Sequence, residues 1–222
     1  MLKLFCGYDS REAIGYQVFC NSVIARSSVP VAFTALNSQG QKVGTNSFTV
    51  SRFLVPYLCG FQGFAVFADA SDMICLTDIA EIAKEFNNMN TPVKVVKHDY
   101  KTKNPNKYIG TDMEAKNTDY WRKNWASLMV INCDHILWRK FTPDFVSKLK
   151  PIDLLQFKLF HPDDIHELPK EWNCLVDEGQ DPTDAKILHW TAGVPAFEHY
   201  KLAKCADKWR KEMRSACYPS RT

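Results

Sequence analysis

Gly63-Phe64-Ala65-Val66-Phe67-Ala68-Asp69-Ala70-Ser71-Asp72-Met73-Ile74 is the stretch on which the fold of this chain turns. Five consecutive apolar residues, Phe64 to Ala68, read as a strand buried on both faces, as the centre of a parallel α/β sheet requires. Two carboxylates, Asp69 and Asp72, follow where that strand should end. In open α/β sheets ligands bind beyond the carboxyl ends of the strands, so acids placed there are candidates for a metal site. A hard cation such as Mg²⁺ or Mn²⁺ takes oxygen ligands and bridges carboxylates to substrate phosphates. A polar turn with one helix-capping Asp is the alternative reading of the same residues.

Working outward, Leu2 to Gly7 reads as a first strand, and Asp9 with Glu12 three residues on resembles a capping box that opens a helix. Free N–H groups at such a helix start attract an anion, and Tyr8 or Arg11 could stack on a base. Val31 to Leu36 is a second strand and Asn37 to Asn46 a loop, while Ser47 to Leu58 looks helical until Pro56 ends it. Arg52 in that segment is either a solvated surface charge or an anion ligand reaching over the sheet.

Beyond the acids, Asp78 to Phe86 is predicted as a capped helix, Val93 to His98 as a strand, and the polar, Lys- and Asn-rich run from Asp99 to Thr118 as a mobile loop over the site. The next block, Trp121 to Cys133, places two cations, an amide and two indoles at the entrance of a buried strand. Indole and amide groups suit sugar rings and hydroxyls, although Trp121 and Trp125 could simply belong to the core. Pro143 to Lys148 reads as a helix and Leu154 to Phe160 as a further apolar strand. His161-Pro162-Asp163-Asp164-Ile165-His166 offers acids and imidazoles, either as a metal site or as a helix cap. His189 follows a short apolar strand and would supply the third ligand that two carboxylates lack, neutral imidazole suiting Mn²⁺ better than Mg²⁺. Glu198 to Met213 is expected to form a terminal helix with Leu202, Ala206 and Trp209 inward.

Composition narrows the class. The 222 residues are 45% hydrophobic and 24% charged, the profile of an ordinary globular chain. A net charge of +3 is too small to imply nucleic acid, yet it allows a locally basic cleft. The eight cysteines form no C-x-x-C pair, which argues against a zinc ribbon, and several sit in apolar runs, as expected of free thiols in a reducing cytoplasm. No apolar run reaches the about 18 residues of a membrane span, and the amino terminus is too short for a signal-peptide core, so a cytoplasmic protein is expected.

Taken in order, Ser51-Arg52-Phe53-Leu54-Val55-Pro56, the Asp69-Ala70-Ser71-Asp72 strand end, Thr77 to Ile82, Lys123 to Cys133, Leu168-Pro169 with Trp172-Asn173, and His189-Trp190-Thr191-Ala192-Gly193-Val194-Pro195 resemble glycosyltransferases of family 8. The resemblance spans roughly residues 1 to 197. It implies a GT-A fold, a single Rossmann-like α/β domain over 1–222 with a mostly parallel central sheet flanked by helices. It also implies a nucleotide-sugar donor, a UDP-sugar for preference, with a divalent metal, usually Mn²⁺, and transfer with retention to an unknown glycan, lipid or protein acceptor. Carried over residue by residue, Asp69, Asp72 and His189 would hold the metal. Tyr8, Asp9, Arg11, Arg52, Asp69, Lys123, Trp125 and Gly193 would contact the donor. Asn124 and Ser127 would line the sugar pocket, and Asp163 and Asp164 match the region facing the reacting sugar. Two departures stand out: two residues rather than one separate Asp69 from Asp72, and Val194-Pro195-Ala196 lacks the diphosphate-binding Lys that commonly follows the His turn. Arg122, Lys123 or Lys201 are the candidate substitutes. Alternatives are a sugar-nucleotidyltransferase, against which the single Gly of Cys6-Gly7-Tyr8-Asp9-Ser10-Arg11 counts, and a non-catalytic nucleotide-sugar-binding protein.

Overall fold

The computed structural model describes residues 1–37, 46–87 and 89–217, and the loop expected between Asn37 and Asn46 falls, at 38–45, outside the described residues. In chain order the elements are β1 (Leu2–Gly7), α1 (Ala13–Ile24), β2 (Val31–Leu36), α2 (Val55–Leu58), β3 (Phe64–Ala68), β4 (Met73–Cys75), β5 (Val93–Val95), β6 (Asn106–Lys107), β7 (Ala115–Lys116), β8 (Leu128–Asn132), α3 (Pro143–Ser147), α4 (Pro151–Leu155), β9 (Ile165–Glu167), β10 (Cys174–Leu175), β11 (Ile187–His189) and α5 (Ala206–Cys217). Six strands form the central sheet in the order β2-β1-β3-β8-β5-β9. Only β8 runs against the rest, pairing antiparallel with both β3 and β5. The mixed α/β, mostly parallel architecture expected of the Phe64–Ala68 run is therefore present.

Alternation along these strands divides the core. Phe5, Phe67 and Met129 point to one face, where they meet Phe53, Trp138, Phe141 and Phe157. Leu4, Val66, Ala68, Leu128 and Val130 point to the other, against Phe19 and Val23 of α1. Burial on both sides explains why β3 and β8 carry unbroken apolar runs rather than an alternating pattern. A second sheet, β10-β11-β4, packs with Trp190 and with Trp209 of α5 in a third cluster.

Strand direction decides what reaches the functional end of the sheet. β1, β3 and β5 end at one edge. Because β8 is antiparallel, with Leu128 opposite Ala68, the residues just before it arrive at that same edge. β9 runs parallel to β5, so whatever precedes it lies at the opposite edge.

Several expected elements differ: the Asp78–Phe86 helix is a 3-10 helix over Ile79–Phe86, the strand expected over Val93–His98 ends at Val95, and four further segments change. Pro56 does not end a helix begun at Ser47: Ser51–Leu54 is a 3-10 turn, and Pro56 stands in the first turn of α2, where its missing N–H has no partner to lose. Leu154 to Phe160 is not a strand; α4 and a turn occupy it, and the edge strand is β9 instead. Glu198–Tyr200 is a separate 3-10 turn and α5 begins only at Ala206, so Leu202 is 86% exposed while Ala206 and Trp209 are buried as expected. The Asp99–Thr118 run, expected as a mobile lid, contains the β6–β7 hairpin and is tied down. Among the described residues no helix is long and apolar enough to cross a membrane.

Candidate functional site

The acid turn is shaped by its neighbours. Ala70 takes a left-handed backbone (φ 67°), a conformation costly for a residue with a Cβ and found mostly at functional turns. Ser71 N donates to Asp69 O at 2.8 Å and Met73 N to Ala70 O at 3.0 Å, closing the turn. α1 crosses directly beneath it: a Cβ on Gly15 would stand 1.8 Å from Ser71 O, so only glycine permits this approach. β11 then pairs antiparallel with β4, His189 opposite Met73, and Trp190 N donates to Asp72 O at 2.9 Å. That register delivers the imidazole to the carboxylates.

Ligand-capable atoms of Asp69, Asp72 and His189 all lie within 4.8 Å of one another. The two-residue spacing of the acids therefore separates neither from the group, because the left-handed Ala70 folds the extra residue away. His189 Nε2 stands 3.3 Å from Asp72 Oδ2, and its Nδ1 lies 2.9 Å from Asn173 Oδ1. Asn173 in turn donates through Nδ2 to Ser127 Oγ at 2.8 Å, and Ser127 donates to Asn124 O at 2.7 Å. This orients the Asn173 oxygen toward the ring and favours a proton on His189 Nδ1, so that in the neutral ring the Nε2 lone pair would face the acids, as a metal ligand requires.

Electrostatics favour a cation here. Burial raises Asp69 to about 6, against the opposing pull of the Arg52 guanidinium. Burial pulls His189 down, but Asp72 and Asp69 outweigh it and hold the imidazole above its ordinary value. Asp72 Oδ1 is buried without a hydrogen-bond partner. Asp69 Oδ1, although 2.7 Å from Arg52 Nη1, has no well-directed hydrogen bond either. Unsatisfied buried carboxylate oxygens facing a lone-pair imidazole fit a divalent metal.

This group opens onto a cleft of about 320 Å³. Arg52 forms part of its floor, sandwiched between Phe48 and Phe67 and donating to Thr49 O and Ala126 O, so its guanidinium braces Asp69. Asn124, left-handed at φ 62° and bonded to Tyr100 Oη at 2.7 Å, and Ser127 line the side given by the start of β8. Lys107, Tyr108 and Lys116 enter from the β6–β7 hairpin, and Pro151, Ile152 and Leu155 of α4 make an apolar far wall.

Of the residues proposed from sequence, Arg52, Asp69, Asp72, Lys123, Asn124, Ser127 and His189 line this cleft. Tyr8, Asp9, Arg11, Trp125 and Gly193 do not. Tyr8 packs edge-on against Tyr16. Burial raises the Asp9 carboxyl, yet hydrogen bonds from Arg11 and Ser47 hold it below the usual carboxylate range, and it caps the turn before α1. Trp125 donates its indole N–H to His98 O at 2.8 Å and packs on the core. Gly193 gives room to the Tyr200 ring, which a Cβ would meet at 2.3 Å. Asp163 and Asp164 are corrected: they occupy an exposed turn before β9, with the Asp163 side chain 91% exposed, at the edge of the sheet away from the cleft. Of the two tryptophans, Trp121 is exposed and Trp125 half-buried.

Sequence reading missed Lys107, Lys116 and Tyr108, whose signal was only a Lys-rich loop, and Asn173 as the group that orients His189. Of the substitutes for the missing lysine, Arg122 is buried against Trp121 and donates to Gln156 O and Phe157 O. Lys201 is ion-paired with Glu198 and lines no part of the cleft.

No protein-family profile matches the chain. It is 34% identical over 228 residues to Protein CDI of Arabidopsis thaliana, an overlap of 95% of this chain and 85% of that protein. Among solved structures, the bifunctional glycosyltransferase WbbM superposes with a TM-score of 0.68 at 14% identity; 96% of this chain is covered, and the chain spans about half (49%) of WbbM. The galactosyltransferase LgtC, solved with donor and acceptor sugar analogs, gives 0.64 at 12% identity over 99% of this chain and 98% of its own. GlyE of Streptococcus pneumoniae TIGR4 gives 0.61 at 13% identity, over 96% of this chain and 60% of its own. The backbone agreement extends over essentially the whole chain and includes the mostly parallel sheet, so the GT-A-like glycosyltransferase fold is shared with these enzymes, LgtC being the neighbour that fits the resemblance to family 8. Identity to a protein of the same extent is high enough to go further, and the chain belongs to the family of Arabidopsis thaliana Protein CDI.

Proposed function

We propose that the protein is a glycosyltransferase that moves a sugar from a UDP-sugar to an acceptor hydroxyl, with retention, using a divalent cation, Mn²⁺ or Mg²⁺, held by Asp69, Asp72 and His189. The observation that carries this reading is the convergence of those three side chains within 4.8 Å at the carboxyl end of β3, on a cleft that also exposes lysines. A cation bound there would offset the charge that builds on the leaving diphosphate without any proton transfer. Arg52 fixes Asp69, and the Ser127–Asn173–His189 chain fixes the imidazole, so the ligands are preorganised. Asn124 and Ser127 offer amide and hydroxyl groups to the sugar.

Among the described residues that line the cleft, Asp69 and Asp72 are the only carboxylates. Both belong to the candidate metal group, and the apolar part of the lining is Pro151, Ile152 and Leu155. This favours front-face attack over a covalent glycosyl-enzyme. The anomeric C–O bond breaks with its electron pair leaving on UDP, the acceptor oxygen bonds on the same face, and its proton passes to a diphosphate oxygen. Eight free cysteines, five of them buried, suit a reducing compartment, and we place the enzyme in the cytoplasm.

A donor screen tests the proposal: UDP release from a panel of UDP-sugars with Mn²⁺, abolished by EDTA, is expected. Binding of UDP-sugars with no release in the presence of any acceptor would make the protein a nucleotide-sugar-binding module instead. Tighter binding of GDP or CMP than of UDP would overturn the donor.

A further inference from the structure

We propose that the β6–β7 hairpin is a diphosphate clamp, with the Lys107 ammonium as its principal contact and Lys116 at the mouth. The inference rests on the donor reading above and assigns to this hairpin a charge that the turn after His189 does not supply. Among the described cations lining the cleft, Lys107 and Lys116 alone make no hydrogen bond or ion pair. Arg52 is spent on Thr49 O, Ala126 O and Asp69. Lys123 donates to Asn117 Oδ1 at 2.7 Å and Thr118 O at 3.0 Å, and so braces the chain leaving the hairpin.

Lys107 is different. Its ammonium lines the cleft, lies 5.3 Å from the Tyr108 ring centre, and makes no hydrogen bond or ion pair with any described residue. Burial lowers its basicity, Lys123 adds to that, and Asp72, Asp69 and Glu12 oppose it. A half-buried ammonium without a partner, beside the carboxylates that would hold a metal, is a site awaiting an anion. A diphosphate held at those carboxylates through a metal would bring anionic oxygens into the cleft that Lys107 lines.

The hairpin is also built to stay in place. Tyr108 N donates to Ala192 O at 2.7 Å and Ile109 N to Tyr200 Oη at 3.0 Å, which ties it to the turn following β11. At its base, Asn117 Nδ2 donates to Thr102 Oγ1 at 2.8 Å. Thr102 Oγ1 and Lys103 N both donate to the buried Glu178 carboxylate, at 2.6 and 2.7 Å. The Lys123–Asn117–Thr102–Glu178 chain thus holds both ends of the hairpin, so the clamp is positioned before ligand arrives.

Calorimetry with Mn²⁺ and three probes, UDP, inorganic pyrophosphate and uridine, tests the clamp. Lys107→Met keeps the aliphatic stem and should weaken UDP and pyrophosphate about 10–100-fold, the worth of a charge-assisted hydrogen bond, while uridine is unchanged. Lys107→Arg should recover most of the loss, and Lys116→Ala should weaken UDP roughly threefold, the effect of an exposed charge. A folded Lys107→Met protein that binds UDP as wild type does, or that loses uridine as much as UDP, overturns the clamp. If Lys107→Met does not fold, Lys116→Ala decides, an unchanged UDP affinity counting against the hairpin. Wild-type protein that binds pyrophosphate but not UDP, with pyrophosphate weakened in Lys107→Met, upholds the clamp and refutes the donor reading; binding of neither refutes both.

Discussion

Two acidic pairs look alike in the sequence and end at opposite edges of the sheet. Asp69 and Asp72 follow β3, whose carboxyl end faces the cleft, and the folding of α1 and β11 around them buries Asp72, leaves Asp69 partly buried and brings in His189. Asp163 and Asp164 have histidines on either side and precede β9, so they sit at the opposite edge, where Asp164 accepts from His161 N at 2.8 Å as an ordinary cap and Asp163 points into water. Density of acids and imidazoles in a short stretch does not make a site. Strand direction, and which second element closes over the acids, does.

The contrast can be broken by substitution, and the largest effect belongs to Asp72. Asp72→Ala removes a carboxylate from the centre of the group and should cost more than about 100-fold in Mn²⁺-dependent UDP binding, since even outer-shell changes typically cost about 10–100-fold. Titration of UDP with and without EDTA measures it, and a chelator-sensitive affinity left intact in the variant would remove Asp72 from the metal. Next in size, Gly15→Ala drives a methyl into Ser71 O and should destabilise the protein by about 1–3 kcal/mol, read from the urea midpoint. Because the strain falls on the acid turn, Mn²⁺ affinity should fall with it; a full-affinity, fully stable Gly15→Ala protein would show that α1 does not shape the turn.

Asp177 separates burial from convergence. Burial raises it to about 6, as for Asp69, but Ala192 N (2.6 Å) and Thr191 Oγ1 (3.3 Å) satisfy it, and it stands outside the metal group. Its folded pKa lies above the ordinary carboxylate value of about 3.9, so ionisation costs stability above pH 6, and the cost disappears as pH falls from about 6 toward 4. Asp177→Asn should therefore be more stable than wild type by about 1 kcal/mol at pH 8 and no more stable at pH 4, with Mn²⁺ affinity unchanged. Equal differences at both pH values would contradict the assignment. Smallest of all, Asp163→Ala should move stability by less than about 0.5 kcal/mol and Asp164→Ala by about 1 kcal/mol through its cap. Neither should alter UDP binding or turnover, and a turnover loss in either would return this pair to the chemistry.

What was legible in the sequence was whatever a local pattern carries. The Phe64–Ala68 run read as a central strand, the acids after it stood at that strand's expected carboxyl end, and six short motifs in order pointed to the fold before any packing was known. The first strand, the cap at Asp9, and the nomination of Asp69, Asp72 and His189 as candidate metal ligands all depend on residue type and position along the chain. Tertiary structure decided the rest. Whether a two-residue spacing keeps both acids together depended on a left-handed Ala70 and on Gly15 pressing from α1, contacts between segments more than fifty residues apart. Which cation is left to meet a ligand depended on where the others find partners: Arg122 and Lys201 are committed away from the cleft, Lys123 lines it but is bonded to Asn117 and Thr118, and Lys107 makes no hydrogen bond or ion pair with any described residue. Strand polarity removed Asp163 and Asp164, because a side chain's chemistry is written in the sequence, whereas the edge of the sheet it reaches is set by pairing with strands far away in the chain.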